Sequence, residues 1–231
     1  MATLTLNLLH QAYLEEPTPT SNRDEITGFL DQVITEPVGA GASRFRTLMQ
    51  FDLATLPAGA IVTAAVLTLS YHDTDATVAR VIALHLINQT VVYTQVTWNI
   101  YSTGNNWTLA GGDFNAAKAT VTLTSPAILA AYDWNVLSLV ADWDAATVAD
   151  FIVKYDVETP TTGELTQFDG FNSFNVARPR LVLTYRNPDI TKGHLWVETT
   201  DIHYVDANAA ERLQTGTLGG ATGALGGHIW V

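Results

Sequence analysis

Apolar and polar positions alternate at period two along much of the chain, the pattern of half-buried strands. The clearest case runs from Arg44 to Leu53, through Leu56-Pro57-Ala58-Gly59-Ala60, and on from Ile61 to His72. It predicts a strand, a tight connection and a second strand, with Pro57 fixing φ and Gly59 tolerating positive φ in the turn. In the second strand Ile61, Thr63, Ala65, Leu67, Leu69 and Tyr71 share one face. The opposite face, Val62, Ala64, Val66, Thr68, Ser70 and His72, is nearly as apolar, so both faces are expected to be covered. A strand pair of this length needs a second layer over it.

The same reading gives further elements. Thr3, Leu4, Thr5 and Leu6 alternate and suit an edge strand, or an arm laid onto a neighbour. Strands are also expected over 26–35, 78–87, 119–124, 134–140, 151–157 and 181–185, with a short helical turn around 126–131. Positions 95–112 are the least strand-like, dense in aromatics (Trp98, Tyr101, Trp107) and loosened by Gly104, Gly111 and Gly112. Eight to ten short strands with regular turn signals predict an all-β fold, a jelly-roll β-sandwich, over residues 1–187. Arg186-Asn187-Pro188 marks a boundary. Beyond it, over 188–231, comes a strand–turn–strand pattern and a Gly-rich stretch, in which Gly193-His194-Leu195-Trp196-Val197 recurs 34 residues later as Gly227-His228-Ile229-Trp230-Val231. A lone hairpin is marginal in water, whereas several copies wound together bury its apolar face. The segment is therefore expected to be a β-hairpin oligomerisation device, and a homotrimer is the expected state.

The run RFRTLMQFDLATLPAGAIVTAAVLTLSY resembles the signature of DNRLRE-type domains, β-sandwich modules grouped with carbohydrate-binding modules. Three further stretches match that family in order: AYLEEPTPTSN (12–22), VTWNIYSTGNNWTLAGGD (96–113) and NVARPRLVLTY (175–185). The resemblance covers about residues 8–186 and implies a non-catalytic sandwich. The tail is similar to fibre and tail segments of bacteriophage structural proteins.

Composition narrows the function classes. The net charge is −12, and the three lysines (Lys118, Lys154, Lys192) are scattered, which disfavours nucleic acid as a partner. Apolar residues make up 47% and charged ones 15%, a balance suited to a well-covered core. There is no cysteine, so neither disulfides nor thiolate metal sites exist. Apolar runs are strand-length, and no membrane helix is expected. The N-terminus has no basic residue ahead of its short apolar run and does not read as a signal peptide. That combination fits a protein assembled in a host cytoplasm and released as part of a virion.

Candidate chemistry is sparse. Trp98, Tyr101 and Trp107 have the flat faces that stack on sugar rings, against the bland alternative of anchoring a loop. His72, Asp73 and Asp75, with Asp113 and Asp169, supply oxygen ligands but no dedicated ladder for a cation, and no metal or cofactor is expected. Asp133, Asp142 and Asp144 lack any signal fixing two carboxylates across a cleft, and no nucleophile elbow or phosphate loop occurs, so no catalytic residue is assigned. Arg44 and Arg46 are read as an in-domain ion pair, with Asp52 the candidate partner, or a solvated strand face, against the alternative of reaching a neighbouring subunit. The resulting expectation is a non-enzymatic virion structural protein, of capsid decoration, cement or fibre type. Its interfaces would use Leu4 and Leu6 in the N-terminal arm, and Trp196, Tyr204, Ile229 and Trp230 in the tail, with itself and capsid proteins as partners. The alternative is a carbohydrate-binding or host-attachment module using the aromatic loop and surface glycans.

Overall fold

A computed structural model describes residues 1–24, 32–35, 44–57, 59–74, 79–124, 130–142, 148–158, 166–171, 178–186, 194–198, 201–205 and 211–214. The chain divides into two compact units, Met1–Arg186 and Asn187–Val231.

The first unit is built around one long strand. β1 (Ala2–Glu15) pairs along its first half with β12 (Arg180–Arg186), Leu4 opposite Leu183 and Leu6 opposite Leu181. A register shift between Leu8 and His10 then turns it, and its second half pairs with β3 (Phe45–Asp52), Ala12 opposite Leu48. A bulge that lets a strand change sheets is how sandwich corners are made. On one side β12 continues to β4 (Ile61–Thr74), which also pairs with β9 (Ala131–Asn135) and β11 (Thr166–Asp169), and β11 with β2 (Gln32–Thr35). On the other side β3 continues to β10 (Val148–Tyr155), β5 (Arg80–Ile87) and β8 (Phe114–Leu123). Every pairing is antiparallel.

The two halves face each other over one core. Leu67, Leu69, Trp134, Phe168, Leu181 and Leu183 come from the first sheet, and Met49, Phe51, Ile82, Leu84, Phe151 and Val153 from the second. Phe51 meets Phe151 edge-on, and the Trp134 indole donates to the Ile82 carbonyl across the gap, so its one polar atom is satisfied inside the core. The body is thus an all-β sandwich whose described core lies wholly within Met1–Arg186.

Two expectations change and one holds. The N-terminal Thr/Leu stretch is an edge of the first sheet, as expected: Ala2–Asn7 pairs with β12 on one side and with no described strand on the other, while Leu6 is buried and Leu4 packs against the sandwich's own core. The second face of β4 is not covered: Ala64, Val66, Thr68 and Ser70 are half-buried while Ala65, Leu67 and Leu69 are sealed. The strand expected over 134–140 ends at Asn135, whose side chain accepts from the Leu137 N–H and starts a 3₁₀ helix, Leu137–Asp142. The expected helical turn around 126–131 lies largely outside the described residues, as does 26–31 of the strand expected there.

In the second unit β13 (His194–Glu198), β14 (Asp201–Val205) and β15 (Glu211–Gln214) form a three-stranded antiparallel sheet. Leu195 pairs with Tyr204 and Val197 with Ile202, alternating with Trp196 opposite His203.

Candidate functional site

The most elaborated region lies on the outer face of the second sheet. Register places three rows there. Ala12, Leu48 and Ile152 form an apolar middle row; His10, Gln50 and Asp150 lie on one side of it, and Leu14 beside Arg46 on the other. An apolar row facing outward needs a cover. The long connection from β5 to β8, with its small hairpin β6 (Ile100–Ser102) and β7 (Asn105–Asn106), supplies one. Val91, Tyr93, Val96, Trp98 and Trp107 pack onto Ala12, Leu14, Leu48 and Ile152 as a second core.

One end of this cover is held by charge. Arg44 and Arg46 both place their guanidinium carbons 5.1 Å from the centroid of Trp98. Arg46 donates through Nε (2.9 Å) and Nη2 (2.6 Å) to the two oxygens of Glu158, and through Nη1 to the Gly111 carbonyl at 2.7 Å. Planar bidentate pairing leaves the guanidinium face free for the indole, which an ammonium would not do. Arg44 makes the matching fork to Glu16 at 3.1 and 2.7 Å, and those bonds hold the Glu16 carboxyl below its ordinary pKa. Lys154 lies buried beside them, its Nζ 2.6 Å from the Tyr155 carbonyl and 3.9 Å from Glu158. Burial pushes its pKa down, with the Glu158 charge opposing. Gly111 is required here: its φ is +92°, and a Cβ would come within 2.7 Å of the Trp98 ring.

The other end is held by neutral donors around one carboxylate. The Tyr93 hydroxyl (2.8 Å) and Gln50 Nε2 (3.0 Å) both donate to Asp150 Oδ1, and His10 stacks on Tyr93 with centroids 5.4 Å apart. Burial raises the Asp150 pKa, and these two hydrogen bonds only partly oppose it. Asn22 Nδ2 ties the loop further, donating to the carbonyls of Tyr93 and Val96 at 2.9 and 2.7 Å. At the loop's return, burial raises the Asp113 pKa but the N–H groups of Thr108 and Leu109, donating at 2.8 and 3.0 Å, outweigh it, and the net shift is downward. Donors and acceptors in this region close on one another, which makes it a clasp for the loop.

Of the residues considered for glycan stacking, Trp98 and Trp107 are 4% and 5% exposed. The Trp107 Nε1 donates to the Thr97 carbonyl at 2.9 Å, and both arginines lie against the buried Trp98 ring, so neither indole offers a free face to a sugar. Tyr101 is half-buried and leans on Trp107, centroids 5.4 Å apart. Leu4 and Leu6, expected at an intermolecular interface, serve the sandwich's own core. Trp196 and Tyr204 fall on β13 and β14, while Ile229 and Trp230 lie outside the described residues. His72 Nδ1 lies 3.2 Å from Asp169, Asp133 accepts from the Thr68 hydroxyl, and Asp75 and Asp144 are outside the described residues. Among the described residues no three His, Asp or Glu side chains converge as metal ligands, and no described helix is long and apolar enough to cross a membrane.

The network residues Tyr93, Asp150, Gln50, Glu158 and His10 were missed by sequence reasoning. Asp150 and Lys154 carried a signal, as charges in the otherwise apolar run 148–155, and such charges mark the outward face of a covered strand. No protein-family model matches the chain, and no curated protein matches it.

Proposed function

We propose that the protein is a non-enzymatic structural component of a virus particle, in which a sandwich body is arrayed by a β-rich tail. The observation that carries the reading is the second unit. Its described residues form three strands of five, five and four residues, and its opening sequence returns 34 positions later. A sheet this small is marginal alone and gains stability by packing against copies of itself. The body complements it: its described core lies within Met1–Arg186, and its longest loop is fastened down rather than left open as a ligand cleft. Similarity of the tail to phage fibre segments sets the particle context, and similarity of the body to DNRLRE-type modules fits a scaffold without chemistry. Assembly is preferred to glycan recognition because the two tryptophans proposed as stacking platforms are enclosed.

Light scattering on the full chain and on a version ending at Asn187 tests this. At micromolar concentration the full chain is expected as a trimer and the shortened one as a monomer. Equal masses per chain in both would overturn the reading.

A further inference from the structure

The face of the first sheet that points away from the core has a charge pattern the sandwich itself does not use. Along one row of the sheet, Arg180 of β12 lies opposite Thr68 of β4, and Asp133 of β9 lies opposite Thr68 on its other side. The core-facing neighbours Leu181, Leu67 and Trp134 are buried, so Arg180, Thr68 and Asp133 point outward. Two strand spacings, about 10 Å, separate the guanidinium side from the carboxylate side. Asp133 accepts from the Thr68 hydroxyl at 2.6 Å, and among the described residues no carboxylate pairs with Arg180. The next rows hold Val182, Val66 and Ala64, all half-buried and small enough for a second sheet to approach to about 10 Å.

We propose that this face docks on the same face of a second copy of the chain. A two-fold axis along β4 through Thr68 maps the β12 side of one copy onto the β9 side of the other. Arg180 then meets Asp133 of its partner copy, twice, while Val66 meets Val66 at the centre. A surface positive on one flank and negative on the other, about a small apolar middle, is self-complementary under that one operation. Area sets the strength. Strands about 4.8 Å apart, with the seven residues of β12, about seven of β4 beside them and the five of β9 at about 3.4 Å each, make roughly 300 Å² per partner. A stable complex buries about 800 Å² per partner. The contact is therefore weak for free bodies and forms when a particle lattice sets bodies of neighbouring trimers side by side at millimolar effective concentration, since a two-fold contact cannot be shared by three bodies on one tail. It deepens the assembly reading and rests on it for that setting.

The body alone, residues 1–187, is used for the test because it is one compact unit that holds the whole described core. Sedimentation equilibrium up to about 1 mM is expected to show a dimer with a Kd on the order of 0.1–1 mM, weakening with salt. Arg180→Asp and Asp133→Arg should each weaken it at least about tenfold, since each places like charges opposite one another. An equimolar mixture of the two variants should restore it, because both cross-pairs are then of opposite sign; restoration also shows that both variants are folded. No association at 1 mM, indifference to the reversals, or failure of the mixture would each overturn the proposal. A full chain that stays trimeric while the charge swap fails removes this face alone. A full chain that is monomeric while the swap succeeds strikes the tail and leaves the face.

Discussion

At the scale of the residue, the consequential group is Glu158. Its carboxylate takes both arms of the Arg46 fork and lies 3.9 Å from Lys154, with all three side chains less than a tenth exposed. Removing one partner of a buried pair leaves the other charge without compensation, which costs about 3–5 kcal/mol. Glu158→Gln strands two cations, whereas Arg46→Met leaves Lys154 and Glu158 together. Urea denaturation should therefore show Glu158→Gln as the costlier change; the reverse order would mean that the hold on Trp98 and Gly111 outweighs the charge. Asp150 gives a pH signature. Its folded pKa is raised by burial above the ordinary 3.8. A raised carboxyl favours the folded state below the ordinary value, and that contribution is lost as pH rises through the folded pKa. Asp150→Asn keeps an oxygen for Tyr93 and Gln50 without ionising, so the variant should gain on the parent as pH rises above the ordinary carboxyl value of 3.8. A difference in stability that is flat with pH would contradict the burial of that charge.

At the scale of the element, the loop between β5 and β8 behaves as a fixed cover, and two of its glycines separate strain from packing. Both have positive φ, +81° at Gly104 and +92° at Gly111, but a Cβ at Gly104 meets nothing within 4 Å while one at Gly111 strikes Trp98 at 2.7 Å and Arg46 at 2.9 Å. Gly104→Ala should cost about 1–2 kcal/mol from the left-handed backbone alone. Gly111→Ala should add about 1–3 kcal/mol of overpacking, and expose Trp98 as a red shift in its emission. Equal costs at the two sites would show that the loop gives way easily. The same loop marks the limit of what was legible. Period two located β3, β4, β5, β10 and β12, because alternation is local and records which side of a strand meets the core. It did not reveal that β1 turns from one sheet to the other at Leu8–His10, nor that Arg44 and Arg46 both lie against Trp98. Both depend on pairings more than twenty residues apart. Aromatic density alone reads equally as a stacking platform or as a plug, and only the row Ala12–Leu48–Ile152 beneath it decides.

At the scale of the whole molecule, the two units differ in what stabilises them, and that difference is measurable. The body buries Trp134, Tyr155, Phe51, Phe151 and Phe168 completely, so its unfolding should be cooperative and independent of protein concentration. The tail sheet, with strands of five, five and four residues, gains its stability by mass action if it associates, since a state favoured by oligomerisation strengthens with concentration. Thermal melts of the full chain followed by Trp emission and by far-ultraviolet dichroism should therefore resolve two transitions. One should match the body ending at Asn187 within about 0.5 kcal/mol, the error with which distant, independent parts add. The other should rise in temperature as the chain is concentrated from about 1 to about 20 micromolar, a range below the Kd of the body–body contact, in which association stabilises the tail alone. A single transition that moves with concentration would mean that the body's core depends on the assembled tail, and the independence of its core within Met1–Arg186 would fall with it. Two transitions that both ignore concentration would make the tail a monomeric appendage, and the particle reading would lose the observation that carries it.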